Sequence, residues 1–185
     1  MILPVTVYGD PLLRYVSKPI TPDYPKLNEL IDNMYETMYQ ADGVGLAAPQ
    51  VGLSIRLFVI DLSPVAEEEP ELKDFKKVFI NAQVLGSEGE PWEMEEGCLS
   101  LPNIRENVSR DEQVTINYFD ENWNEKTETY NAYAARVILH EYDHLEGKLF
   151  VDYVSPLRKK LIKGKLLAIS KGKANVSYRI KAPQK

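Results

Sequence analysis

The chain has 185 residues, of which 44% are apolar and 27% charged, values that fit one compact globular domain and give no reason to invoke disorder or a fibrous repeat. No run of about 18 apolar residues occurs, which excludes a membrane-spanning helix on sequence grounds, and the lone Cys98 excludes an internal disulfide. The net charge of −6 is uneven: residues 155–185 hold ten basic groups and no acidic one, leaving net −16 on residues 1–154. An acidic body with a basic end points either to an anionic partner or to a cationic segment docked on the body. The opening Met1-Ile2-Leu3-Pro4-Val5 has no cationic stretch, no apolar stretch of export length and no small-residue cleavage site, so a cytoplasmic location is expected.

In chain order, Leu27, Leu30, Ile31, Met34, Tyr35 and Met38 recur at i, i+3, i+4, i+7, i+8 and i+11. That period predicts an amphipathic helix beginning after Pro25 and ending near Gly43. Arg56 to Leu62 and Lys77 to Ala82 are short β-branched and aromatic runs, expected as strands. Between them Glu67-Glu68-Glu69-Pro70-Glu71 reads as a solvated loop. Gln113 to Phe119 alternates Val114, Ile116 and Tyr118 with polar residues, and after Asp120-Glu121-Asn122 the run Lys126 to Tyr130 completes a hairpin pattern. Ala132 to Glu146 contains neither Gly nor Pro and predicts a second helix ended by Gly147. Arg158 to Lys171, introduced by Ser155-Pro156, predicts a third, cationic helix. The expected fold class is α+β, with short, mostly antiparallel strands around a central helix carrying HExxH, an N-terminal helix and a C-terminal basic helix. Residues 1–171 read as a single domain and 172–185 as a basic tail.

Chemistry concentrates in His140-Glu141-Tyr142-Asp143-His144. Two histidines four apart share one helical face and can hold one metal ion, while the Glu beside the first reaches water on that metal. A helix surface with incidental histidines is the plain alternative, yet the chain has only two histidines and both fall in this pattern. A catalytic metal of this kind takes three protein ligands and keeps one position open. No third histidine remains, and in the longer metzincin pattern Gly147 fits while Phe150 stands at the final histidine position. The third ligand is then a carboxylate or Cys98. A lone cysteine is more often a buried filler, but HExxH without a third histidine favours the thiolate.

Three stretches carry a resemblance. Gly43-Val44-Gly45-Leu46-Ala47-Ala48-Pro49-Gln50, Glu96-Gly97-Cys98-Leu99-Ser100 and His140-Glu141-Tyr142-Asp143-His144 stand in the order and approximate spacing of the three motifs of peptide deformylases. Tyr8-Gly9-Asp10-Pro11-Leu12-Leu13-Arg14 resembles the N-terminal segment of that family, so the likeness runs from about residue 5 to 155. Two departures are Leu139, where the family often has Gln, and the Glu-rich insertion at 67–71; neither touches a metal ligand.

The resemblance implies hydrolytic removal of the N-formyl group from the initiator methionine of new polypeptides, with release of formate. It implies metal ligation by Cys98, His140 and His144, with Fe²⁺ in the cell and Zn²⁺, Ni²⁺ or Co²⁺ acceptable to the same donors in purified protein. Such an ion lowers the pKa of its bound water toward about 7, supplying the attack on the formyl carbon, and Glu141 takes the proton and passes it to the leaving amine. The Gln50 side-chain amide and the Leu99 N–H are implied as oxyanion donors. Gly45 would bond the peptide in extended form, Gly97 permits close main-chain approach, and Val44, Tyr133 and Val137 would line the methionine pocket, although each of these three is equally a plain core residue. The expected partners are formyl-Met N-termini and, through the basic end, the ribosome near its exit tunnel; neither a membrane nor DNA is expected. The alternatives are an HExxH zinc endopeptidase, which needs a third ligand other than Cys98, and a non-catalytic metal or ribosome-binding module.

Overall fold

The computed structural model describes residues 1–183. It is α+β, with three helices and strands that pair antiparallel in all but one case. Five strands form the main sheet: β2 (Gly45–Ala47), β3 (Leu57–Asp61), β4 (Lys76–Glu88), β7 (Gln113–Phe119) and β8 (Glu125–Asn131), hydrogen-bonded in the order β2-β3-β4-β7-β8. All five residues of β3 are buried, and the reason is a helix on each face of the sheet. Leu57 and Val59 point to α1 (Leu27–Gln40), where Ile31, Met34 and Met38 meet them, while Phe58 and Ile60 point to α2 (Ala132–Leu145) with Ala135 and Ile138. A strand covered on both sides loses its apolar and polar alternation, which is why Leu57 to Ile60 reads as an unbroken apolar run. Phe58 and Phe79 stack at 4.6 Å between centroids under α2.

The helices lie within one to three residues of their expected limits. The third, α3 (Pro156–Ser170), is capped by Ser155, whose Oγ accepts from the Arg158 N–H, and has Pro in its first turn. It buries only Ile162 and Ile169, and Arg158 clamps it to Glu106 through two hydrogen bonds of 2.7 and 2.8 Å. The strand expected to end at Ala82 continues to Glu88, with register shifts after Ile80 and Val84 that keep it paired to β7. In the Glu-rich insertion Glu67, Glu68 and Glu71 are exposed, but a short 3-10 turn at Pro70–Leu72 sinks Leu72 into the core beneath α2.

Three features were not expected from the sequence. β5 (Trp92–Cys98) and β6 (Leu101–Arg110) form a separate hairpin. The inward residues of β6 include Ile104, Glu106, Val108 and Arg110, and half of them are charged, so the usual alternation is absent. The Gly43 to Gln50 loop contains the edge strand β2, paired Gly45 to Ile60, followed by a 3-10 turn at Ala48–Val51. The segment from Gly172, grouped with the tail by its charge, folds back so that β9 (Ile180–Lys181) lies parallel to β1 (Val5–Thr6). Of the ten basic residues at this end, Lys185 lies outside the described residues.

Gly147 closes α2 at φ +70°, and a Cβ there would stand 2.4 Å from the Arg14 carbonyl oxygen. Left-handed backbone costs a non-glycine residue about 1–2 kcal/mol and forced overpacking about 1–3. Gly147→Ala is therefore expected to lower Tm by roughly 5–15 °C in a calorimetric scan; a shift within error would show that the approach of the 11–14 segment is loose.

Candidate active site

Cys98 ends β5 at a register break, since Gly97 pairs with Arg105 but Cys98 pairs with Leu101 across a tight turn. The break delivers the thiol onto the face of α2 that carries His140 and His144, one helical turn apart with ring centroids 5.3 Å from each other. One donor atom from each of Cys98, His140 and His144 lies within 4.8 Å of the others, and Cys98 Sγ is 3.3 Å from His144 Nε2. Such convergence of a thiol and two imidazoles is the donor set of a tetrahedral site with one position left over.

The imidazole of His140 is aimed from behind. Its Nδ1–H donates to Glu96 Oε2 at 2.8 Å, which leaves Nε2 for the cluster. Glu96 also accepts from Arg110 at 2.6 and 3.0 Å and from Arg136 at 2.7 Å, and Arg110 donates to Asp143 at 2.9 Å. Burial alone would push the Glu96 carboxyl up, but the bonds from His140 and Arg110 outweigh it and hold the group well below the usual carboxylate range. Burial first, and then nearby positive charge including the Arg110 and Arg14 guanidiniums, push His144 well below its ordinary value, which favours the neutral imidazole that metal binding would require.

Glu141 stands beside this cluster on the same helix. Burial pushes its carboxyl up to about 7, and Oε2 has no partner among the described residues. Its Oε1 lies only 2.4 Å from where a Cβ at Gly45 would be, so the edge strand can pass over the carboxylate only because residue 45 has no side chain. Gln50, 1% exposed, is fixed by its Oε1 accepting from the Ala47 N–H at 2.8 Å. That bond turns the amide Nε2 toward Ser100 Oγ at 3.2 Å and Cys98 Sγ at 3.4 Å. The Leu99 N–H finds no acceptor among the described residues, whereas the Leu99 carbonyl accepts from the Tyr178 hydroxyl at 2.8 Å.

These groups open on a cleft of about 480 Å³. Val44, Gly45, Gln50, Gly97, Cys98, Leu99, Tyr133, Val137, His140 and Glu141 all line it, and His144 lies behind them, fully buried. Sequence reasoning missed Arg110, Arg136 and Tyr178, and gave no role to Glu96 and Ser100 although both stand in the motif around Cys98. For Glu96 a signal existed, because an imidazole that binds metal generally donates its second N–H to a carboxylate.

Removing the Glu96 charge would leave Arg110 and Arg136 buried with Asp143 as the only carboxylate in the network, a change that typically costs about 3–5 kcal/mol. Glu96→Gln is expected to lose stability on that scale in urea melts of the metal-free protein. Because the folded pKa of Glu96 is depressed, its contribution is complete above the ordinary glutamate value of 4.5 and is lost as pH falls through the folded value. The wild type should therefore lose stability in acid more steeply than Glu96→Gln, and equal slopes would remove Glu96 from this role.

The "Polypeptide deformylase" family model matches residues 2–160. The peptide deformylase of Christiangramia forsetii is 56% identical, with 99% of this chain and 97% of the relative covered. That of Flavobacterium psychrophilum is 57% identical over 98% and 97%. Among solved structures, peptide deformylase from Legionella pneumophila superposes with a TM-score of 0.81 at 38% identity, covering 92% of this chain and 96% of that one. The Thermus thermophilus enzyme gives 0.82 at 36%, covering 93% and 99%. Likeness that spans the chain nearly end to end is a likeness of the whole folded unit and not of one helical motif, and on that ground the chain belongs to the polypeptide deformylase family.

Proposed function

We propose that Cys98, His140 and His144 hold one divalent metal ion and that Glu141 moves the proton in the reaction of this family, the hydrolytic removal of the formyl group from N-terminal formyl-methionine of new polypeptides. The observation that carries the assignment is the meeting of the three donor atoms within 4.8 Å, next to a buried carboxylate oxygen with no partner among the described residues. A desolvated and unpartnered carboxylate is costly unless something polar completes it, and the thiol and two imidazoles suit a borderline-soft ion. When bound, that ion supplies Lewis acidity and draws a nucleophile from water at neutral pH. The resemblance to the family favours Fe²⁺ in the cell; zinc, nickel and cobalt suit the same donors.

The remaining roles fall to the chain itself. Glu141, with its carboxyl pushed up toward 7, is matched to taking a proton from water and giving it to the leaving amine. The Gln50 amide and the Leu99 N–H, which has no acceptor among the described residues, are donors for the oxygen that gains charge. Strand β2 is the sheet edge, so Gly45 offers main-chain groups to an extended peptide, with Gly97 across the cleft. Val44, Tyr133 and Val137 supply apolar surface for the methionine side chain. Helix α2 is thus the central element of the site, holding two ligands, the proton carrier and part of the pocket. A general endopeptidase is not favoured, because the relatives match as deformylases along their whole length.

No helix among the described residues is long and apolar enough to cross a membrane. Lys159, Lys160, Lys163 and Lys165 are exposed on α3, and in our reading, which this cationic face and the resemblance to the family support, the enzyme works in the cytoplasm with the face toward ribosomal RNA, where phosphate contacts would be weak and salt-dependent.

Replacing Cys98, His140 or His144 by Ala should abolish stoichiometric metal and activity. Glu141→Ala should keep the metal while kcat falls about 10²- to 10⁴-fold, and Gln50→Ala should cost about 10²- to 10³-fold. Metal analysis with turnover of a formyl-Met peptide decides this: metal retained by Cys98→Ala, or lost by Glu141→Ala, would reassign the ligands. Reversing Lys159, Lys160, Lys163 and Lys165 to Glu should weaken low-salt co-sedimentation with ribosomes without slowing hydrolysis of short peptides; unchanged co-sedimentation would remove the ribosome from the reading.

A further inference from the structure

The chain end lies close to the chemistry. Val176 and Tyr178 line the cleft, and the Tyr178 hydroxyl donates to the Leu99 carbonyl at 2.8 Å. Their segment is tethered on both sides by main-chain carbonyls. Asn103 Nδ2 donates to the Asn175 carbonyl at 3.1 Å, and the Val5 N–H donates to the Arg179 carbonyl at 2.8 Å where β9 joins β1. None of the basic side chains is needed to seat it.

The turn that this segment touches is the one between the metal-ligating thiol and β6. It is held from three directions: Tyr178 on the Leu99 carbonyl, the Tyr8 N–H on the Ser100 carbonyl at 2.8 Å, and Gln50 Nε2 on Ser100 Oγ at 3.2 Å. Two of the three belong to the chain ends that β1 and β9 bring together. Leu99 itself belongs to no strand, and its N–H has no acceptor among the described residues.

We propose that Asn175–Ile180 is a wall of the substrate cleft and that Tyr178 is a positioning residue, which fixes the Leu99 turn so that its N–H faces the reacting carbonyl. The inference rests on the reading of Leu99 as an oxyanion donor. A preorganised donor contributes because it need not reorient as charge develops, so loosening its peptide acts on the transition state more than on substrate binding. The C-terminal segment accordingly serves hydrolysis through Tyr178, and its basic Arg179 and Lys181 follow immediately after the wall of the cleft.

Tyr178→Phe in the full-length, metal-loaded enzyme removes only the hydroxyl. Metal content should stay at the wild-type value, Tm should fall by no more than about 6 °C and KM for a formyl-Met tripeptide should hold within about 2-fold, while kcat falls about 3- to 10-fold. Independently of turnover, hydrogen exchange measured by mass spectrometry should quicken at the Tyr8 N–H, which donates to the Ser100 carbonyl of the same turn. Unchanged exchange and unchanged kcat would overturn the latch and leave the Leu99 donor standing. Faster exchange with unchanged kcat would overturn the positioning role through the failure of the Leu99 reading. Parallel loss of Tm, metal and kcat would make Tyr178 a structural side chain only. Val176→Asp tests the wall: KM should rise with kcat unchanged, and an unaltered KM would remove Val176 from the cleft.

Discussion

Glu96 is the joint on which the site depends. The β5–β6 hairpin shares no strand pairing with the main sheet, so the thiol and the two imidazoles come from separate substructures that something must lock in register. A carboxylate does this with directional bonds: one oxygen takes Arg110 and Arg136, and the other takes His140 and a second nitrogen of Arg110. Arg110 lies on β6, Arg136 and His140 lie on α2, and Arg136 also donates to the carbonyls of Val108 and Trp92 on the hairpin. In a low-dielectric interior each group would be costly alone, and the set is tolerable because its two cations face two carboxylates, Glu96 and Asp143. Rigidity follows from that mutual dependence, since no member can swing away without leaving another uncompensated.

The main sheet has a simpler task. With α1 and α2 on opposite faces, β3 is pinned between two apolar layers, and its neighbour β2 is held where Gly45 meets Glu141. The apolar layers thus set the height of the edge strand above the helix, and the ionic network sets the approach of the hairpin from the other side. A close-packed interior transmits both constraints to the cleft with little slack.

What the sequence makes legible follows this division. α1, β7 and α2 bury apolar stripes whose periods are plain in the order of residues, and β3 shows as a short apolar run. The β5–β6 hairpin is illegible by the same rule, because Glu96, Glu106 and Arg110 occupy its inner positions and an ionic interior looks like a solvated surface. β1 and β9 are two residues each and have no period to read. In the site, His140, Glu141, His144 and Cys98 announce themselves by residue type and spacing. Tyr178 does not: it lies 79 positions from Leu99, in a segment whose composition speaks only of charge.

The short open edge of the main sheet has a consequence for the range of chains such an enzyme can serve. β2 spans three residues and has a partner on one side only. Ladder bonds along an edge involve only main-chain groups, which are the same in every polypeptide apart from proline. A peptide laid there would be gripped without being read, leaving discrimination to the first side chain and its formyl group. Three residues are also too few to invite lasting pairing with another sheet. An edge of this length suits brief, repeated encounters with the output of an entire genome: general enough to accept almost any newcomer, and small enough to let each one go.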